Sequence, residues 1–139
     1  MPYKTTITGR AAKILAALTW HLGGLKKTII HGPAGRFLPV EVQTICTVPS
    51  GIIYRIAQVS QGLCDPGMEF LAAAQPGGGT NFIPVSFLND FTGRKFHGVV
   101  FDDKGCISGH FPETISQLVT YTQGWLDNLN LQLNLEVAP

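Results

Sequence analysis

The chain has 139 residues, the length of one domain, so we predict a single domain over residues 1–139. Hydrophobic residues make up 45% of the sequence and charged residues 14%, a balance that excludes an intrinsically disordered chain. The formal net charge of +1 excludes a uniformly basic or acidic protein. No apolar run reaches the ~18 residues of a membrane-spanning helix, so we expect no membrane partner.

The first predicted element is a helix from Gly9 to Leu22. Ile14, Leu18 and Leu22 recur at four-residue intervals and form one apolar stripe. Thr8 is the expected N-cap, and a Gly-Gly pair after the stripe is typical of a helix end. We expect this stripe to lie against the rest of the core.

After this helix the apolar period falls from about 3.6 to 2, which indicates strands. We predict strands at residues 28–31, 38–48, 52–59, 68–73, 82–88 and 95–101, and a short return strand at 106–108. Segments rich in Gly, Pro and Asp separate them, including predicted turns at 64–67 and 102–105. Because these connections are short, neighbouring strands must pair antiparallel.

The last predicted element is a helix from Pro112 to Leu133. Proline suits the first helical position, and Glu113 complements the helix dipole there. Gly124 inside this helix predicts the close approach of another backbone, either that of the sheet or that of a second copy of the chain. The residues expected to be buried on the two helices are Ile14, Leu18, Val119, Leu126 and Leu129. The fold class is therefore α+β: an antiparallel meander of four to six strands, flanked by an N-terminal and a C-terminal helix packed on one face.

The cysteines indicate a cellular compartment, and neither the cysteines nor the histidines form a pattern typical of a catalytic or metal site. Cys46, Cys64 and Cys106 are far apart and contain no Cys-x-x-Cys pair, which is typical of reduced thiols in a cytoplasmic protein. The four histidines are dispersed, and no pair has the spacing of metal ligands. We therefore predict no bound metal and no cofactor.

Charges are segregated along the chain. Residues 1–36 contain six basic residues and no acidic residue. Such a segment is typical of a surface that binds an anionic partner such as nucleic acid, with Arg10, Lys13, Lys26 and Lys27 as the candidate binding residues. We favour the alternative that the basic segment packs beside the acidic remainder and the charges cancel, because no basic run exceeds two residues.

A second candidate site is acidic. Asp65, Glu69 and Asp90 would supply the carboxylates of a magnesium-dependent, nuclease-like centre. However, Asp65-Pro66-Gly67 is also typical of a turn in which the Asp side chain bonds its own backbone, and Asp90 follows a predicted strand, where Asp is common for the same reason. We favour this structural interpretation.

Three short motifs and one tryptophan form a recognisable set. The motifs are Leu-Pro-Val-Glu at 38–41, Asp-Pro-Gly-Met-Glu-Phe at 65–70 and Pro-Val-Ser-Phe-Leu-Asn-Asp at 84–90, followed by Trp125. They resemble an uncharacterised bacterial domain family of unknown function found on plasmids, phages and other mobile or accessory DNA. The family usually has a His-Tyr pair and a Gly-Asp pair before Asp-Pro, where this chain has Gln-Val-Ser-Gln-Gly-Leu. The resemblance implies an accessory role and no particular chemistry.

We therefore expect a non-enzymatic cytoplasmic accessory protein, a small protein- or ligand-binding module that acts as a homo-oligomer. The charged fraction of 14% is low for a soluble domain, which favours self-association, so a homodimer or another protein is the expected partner. The alternative is a nucleic-acid-directed factor, either a DNA or RNA binder through the basic segment or a metal-dependent nuclease through the carboxylates.

Overall fold

The computed structural model describes residues 4–137, and these contain two α-helices, a short 3-10 helix at Pro33–Gly35 and eight strands. Helix α1 is Gly9–Trp20 and helix α2 is Pro112–Leu133. The strands are β1 Lys27–Ile30, β2 Val40–Val48, β3 Gly51–Ser60, β4 Leu63–Ala74, β5 Thr80–Asn89, β6 Arg94–His97, β7 Val99–Phe101 and β8 Ile107–His110. Of the predicted domain, residues 1–3 and 138–139 lie outside the described residues.

Strands β1 to β6 form one sheet in chain order, and each strand pairs antiparallel with the next. This confirms the predicted α+β meander, with six strands in the main sheet. The remaining strands, β7 and β8, pair with each other as a separate two-stranded sheet. Short turns connect the strands of the meander, and such turns permit only antiparallel neighbours.

Both helices pack on one face of the main sheet. One core cluster joins apolar residues of α1 and α2 to the sheet residues Val42, Ile56, Met68 and Phe70. The helix residues predicted to be buried are all at most 1% exposed: Ile14, Leu18, Val119, Leu126 and Leu129. Burial of apolar side chains of this size is the main stabilising contribution to the fold.

Each helix crosses the strands instead of running along them. Just before α1, the backbone N–H of Ile7 donates to the carbonyl of Phe82 on β5 across 2.8 Å, and the far end of α1 lies near Thr44 of β2. Helix α2 begins near Gly98 and ends near Gln58 of β3. The two helices therefore cover much of this face but leave one end of the sheet exposed beside α1.

The opposite face of the sheet is covered at one end by the β7–β8 hairpin, through a second cluster that includes Ile53, Leu71 and Val99. The prediction of one strand over residues 95–101 was wrong, because Gly98 divides it. A Cβ at Gly98 would lie 2.8 Å from the carbonyl oxygen of Pro84, so only glycine fits this crossing from one sheet to the other.

The predicted turn at residues 64–67 was also wrong. These residues belong to β4, and the turn lies earlier, at Gln61 and Gly62, both with positive φ. The register between β3 and β4 shifts between Ala57 and Val59, which places a bulge opposite Pro66. Because proline has no N–H to donate, it is tolerated within a sheet at such a bulge.

The sheet does not approach Gly124 closely, so that alternative was wrong, and the approach of a second copy stays a prediction. A Cβ built at Gly124 has no atom of the described residues within 4 Å, and the residue is exposed on α2. Helix α2 itself has the predicted boundaries, with Pro112 in its first turn and Glu113 beside it. Helix α1 ends at Trp20, before the predicted Leu22, and Thr8 is its N-cap without a side-chain cap hydrogen bond.

Candidate functional site

The four basic residues predicted to bind an anionic partner do not form one patch. Nε of Arg10 lies 3.0 Å from Oδ1 of Asp127 on α2, in a geometry that places the charges together without an aligned hydrogen bond. Nζ of Lys27 lies 3.9 Å from Oε1 of Glu41 on β2. These partly exposed pairs are weak in energy, but they compensate the charges of Arg10 and Lys27 locally.

The other two basic residues, Lys13 and Lys26, line two adjoining depressions beside α1. The depressions share Thr19, Trp20 and Tyr54, and their volumes are about 530 and 720 Å³. We name the combined depression the α1 groove. Its further lining residues are Ala12, Ala16, Ala72, Thr80 and Phe82 in one part and His21, Leu22, Gly23, Gly24, Leu25 and Thr44 in the other.

The floor of the α1 groove is the end of the sheet that the helices leave uncovered. Tyr54 pairs with Phe70 across β3 and β4, and Ala72 pairs with Phe82 across β4 and β5. Because side chains alternate along a strand, Ala72 lies on the same face as the fully buried Phe70. The apolar surface of the core therefore continues beyond α1 and becomes accessible in the groove.

Trp20 stands at the edge of this groove with 81% of its surface exposed, and Leu25 nearby is 64% exposed. The sequence analysis did not single out Trp20 as a candidate site residue. The helical spacing predicts that Trp20 is exposed. It follows the buried Leu18 by two residues, which places it about 200° around the helix from the buried stripe. Trp20 and Leu25 together expose apolar surface at one depression, and an exposed apolar patch is typical of an interaction site.

The charge of the α1 groove is positive. Lys13 and Lys26 are exposed, and among the described lining residues there is no carboxylate. Neither lysine has an acidic partner within 4.0 Å among the described residues, in contrast to Arg10 and Lys27. The groove thus combines an accessible aromatic ring, an apolar floor and two ammonium groups, which together favour an anionic partner with an apolar surface.

Of the acidic candidates, Asp65 and Asp90 lie where the start of β4 meets the end of β5. Oδ1 of Asp65 accepts a hydrogen bond of 3.1 Å from the side chain of Asn89. Oδ2 of Asp90 accepts one of 2.7 Å from the backbone N–H of Cys64. Both carboxylates hold neighbouring chain segments together at this corner of the sheet.

Glu69 lies apart from them, on the sheet face opposite the helices. Its Oε2 accepts a hydrogen bond of 2.9 Å from Nη2 of Arg55, and its Oε1 accepts one of 3.3 Å from Oγ of Ser86. These residues line a small cavity of about 110 Å³ together with Cys64, Gly67, Leu88, Lys95 and His97. Arg55 and Ser86 thus satisfy both carboxylate oxygens of Glu69.

Two groups near this corner have shifted pKa values. Burial, and then the negative charge of Asp90, raise the pKa of the Cys64 thiol above its usual 9.0. Burial, and then Asp65, raise the pKa of the Tyr121 hydroxyl above its usual 10.0. Cys64 therefore stays protonated at neutral pH, which disfavours it as a nucleophile.

Within residues 4–137, no three or more His, Cys, Asp or Glu side chains come together in a way that would hold a metal ion. Asp65, Glu69 and Asp90 are thus not assembled into a metal centre in this structure. None of the described helices combines the length and the apolar character that crossing a membrane requires. The three cysteines are free thiols.

Comparisons with known proteins found no matching family model, no matching curated protein and no matching solved structure. The resemblance to a bacterial family found on mobile DNA therefore stays a prediction from the motifs.

Proposed function

We propose that this protein is a non-enzymatic binding module that takes an acidic protein segment in the α1 groove. The supporting observation is Trp20, which is 81% exposed between two lysines and beside an apolar floor. Aromatic side chains are enriched among the residues that dominate protein interfaces, because one ring buries a large area at a small cost in conformational entropy.

The charges support a protein segment with acidic residues. Lys13 lines the part of the groove near β5, and Lys26 lines the part near β2, so positive charge is present at both ends. Ammonium groups at the rim of an apolar surface accelerate the approach of acidic partners and set their orientation. The apolar floor between them supplies the area from which water is displaced on binding.

A displayed library of random linear peptides, selected on the immobilised protein, tests this proposal. We expect the selected peptides to combine Asp or Glu with apolar residues and to alter the fluorescence of Trp20 when they bind. Trp125, the second of the two tryptophans, is 6% exposed and contributes a nearly constant background. Trp20→Ala should weaken binding by about tenfold or more without loss of folding, since this ring is largely in solvent.

Charge reversal gives a matched control. Lys13→Glu and Lys26→Glu should each lower the affinity for the selected peptides by several-fold to about tenfold. This loss of affinity should be smaller at high salt. Lys104→Glu, at an exposed position in the turn between β7 and β8, should leave affinity unchanged. Peptides whose affinity does not depend on Trp20, Lys13 or Lys26 would show that the α1 groove is not the binding surface.

A second candidate function is the binding of single-stranded nucleic acid, favoured by the same exposed ring between lysines. Bases stack on such rings, and lysines neutralise phosphates. A fluorescent 15-mer of deoxythymidine should then bind with an affinity that falls steeply with salt and is lost in Trp20→Ala. Binding of this oligonucleotide in the absence of any Trp20-dependent peptide would make nucleic acid the preferred partner.

The cytoplasmic location, the accessory role and the homo-oligomer stay part of this proposal as predictions. Both outer strands of the main sheet have paired basic residues, Lys26 and Lys27 at β1 and Arg94 and Lys95 on β6. Basic residues on a strand edge disfavour edge-to-edge pairing of copies, so we expect a homo-oligomer to form through another surface. Sedimentation at micromolar concentrations measures the oligomeric state, and a strict monomer would remove the homo-oligomer from the proposal.

A further inference from the structure

The geometry of the α1 groove restricts the conformation of its occupant, and this inference rests on the proposed function. We propose that the groove takes an amphipathic α-helix of a protein partner, with acidic residues towards both of its ends. This helix lies beside α1 and fills the third place in the helical layer on the sheet.

The uncovered surface beside α1 has the length and shape that a short helix would fill. The floor extends from Thr44 on β2 to Phe82 on β5, three strand spacings or about 14 Å. A helix rises ~1.5 Å per residue, so about nine or ten residues cover this length. The groove follows α1, whose groove-facing residues include the small side chains Ala12 and Ala16. Small side chains allow a second helix to approach closely.

The backbone hydrogen bonds of the floor also favour a helix over an extended peptide. Strands β3 and β4, which form the middle of the floor through Tyr54 and Ala72, are each paired on both sides within the sheet. The middle of the floor therefore has no free strand edge to which an extended peptide could add itself. A helix satisfies its own backbone groups and needs only an apolar surface, so it is the conformation that this floor favours.

The described helices of a second copy of this chain do not match the α1 groove as its occupant. The stripe of α1 is buried, and α1 contains basic residues and no acidic residue. Helix α2 contains only Glu113 and Asp127 as acidic residues, and Asp127 faces Arg10. Neither described helix therefore offers a free apolar face with acidic ends, and the occupant is a helix from another protein.

The tightest peptide from the library selection is the probe for this inference. We expect its nuclear magnetic resonance secondary shifts to become helical on binding, with its essential apolar residues at i, i+3, i+4 and i+7. A proline at the centre of the peptide should reduce affinity by about 100-fold or more, because it breaks a helix there. An extended peptide would tolerate that proline and would show essential residues at every second position.

A variant that fills the groove tests the position of the helix. Ala16 is exposed on α1, so Ala16→Phe should leave the fold intact. The new ring would occupy the space of the partner helix and should lower the affinity for the peptide by about tenfold or more. Thr120→Phe, at an exposed position of α2 outside the α1 groove, is the control and should have no effect.

The results distinguish the binding of an acidic segment in the α1 groove from the helical conformation of that segment. A bound peptide that is extended, but depends on Trp20 and Lys13, would overturn the helical inference and leave the proposed function standing. The absence of any Trp20-dependent peptide would overturn both. An unchanged affinity in Ala16→Phe would show that the helix does not lie beside α1.

Discussion

Trp125 on α2 donates its indole N–H to the side-chain oxygen of Gln58 on β3 across 3.0 Å, and thereby joins the C-terminal helix to the middle of the sheet. The side-chain nitrogen of Gln58 in turn donates to Gln132, one residue before the end of the same helix. A single glutamine therefore contacts α2 at two points. A partly buried polar network of this kind stabilises a fold only while each partner is present.

The first prediction follows from this network. Trp125→Phe should lower the free energy of unfolding by about 1–3 kcal/mol, because the Gln58 oxygen loses its donor in a partly buried position. Urea denaturation measures the loss. The matched control is Trp20→Phe, whose ring is 81% exposed and whose substitution should change stability by no more than ~0.5 kcal/mol. Equal effects of the two substitutions would contradict the structural role of the Gln58 contact.

Two glycines provide the second prediction. Gly98→Ala should destabilise the protein by about 1–3 kcal/mol, because the added Cβ would lie 2.8 Å from a backbone oxygen that cannot easily move. Gly124→Ala should stabilise it by up to ~1 kcal/mol, because the new methyl group meets open space on an exposed helix surface. Thermal denaturation of both variants tests the opposite signs. A loss of stability in Gly124→Ala would indicate a neighbour at that position that the single chain lacks.

The third prediction concerns Asp65. Asp65→Ala should lower stability by about 1 kcal/mol through loss of the hydrogen bond with Asn89. Asp65→Asn retains an acceptor oxygen and should have a smaller effect. If both substitutions were neutral, the contact between the start of β4 and the end of β5 would not depend on this side chain.

A fourth prediction separates binding from metal-dependent catalysis. Millimolar magnesium or manganese should leave the melting temperature unchanged, because Arg55 and Ser86 already satisfy the Glu69 carboxylate. Differential scanning calorimetry with and without the ion measures this. A rise in melting temperature that disappears in Glu69→Gln would promote the nuclease alternative over a binding module.

The fifth prediction concerns thiol reactivity. Cys46 is exposed, whereas burial and Asp90 raise the pKa of Cys64, so iodoacetamide at pH 8 should modify Cys46 well before Cys64. Peptide mass spectrometry after timed quenching gives both rates. Faster modification of Cys64 would contradict its raised pKa.

The raised pKa values also set the sign of a pH effect. In the folded protein Cys64 and Tyr121 ionise at higher pH than in the unfolded chain, so their contribution to stability is complete below pH ~9 and is lost as pH rises through the folded pKa values. Stability should therefore fall above pH ~9, and the fall should be shallower in a Cys64→Ala, Tyr121→Phe double variant. An unchanged slope would show that other groups cause the alkaline loss.

The sequence alone determined the element types, the antiparallel order and the buried stripes of both helices. Ile14 and Leu18 recur at the helical period, and α2 has its predicted boundaries from Pro112 to Leu133. These features depend on local sterics, on burial of side chains at regular intervals and on loop lengths, all of which are visible in a single sequence. The misplaced turn at Asp65 and the missed break at Gly98 show the limit of local signals. Each depends on a bulge or an atom contributed by another strand.

Only the tertiary structure decided where the candidate site lies. The sequence placed Arg10, Lys13, Lys26 and Lys27 in one basic segment, but packing against α2 and β2 gave Arg10 and Lys27 acidic neighbours and left Lys13 and Lys26 in the groove with Trp20. A groove exists because two helices cover less of the sheet than its strands extend. The uncovered length depends on how far each helix lies from the end of the sheet. This distance is set by long-range packing of the helices on the sheet and cannot be predicted from the local period of apolar residues.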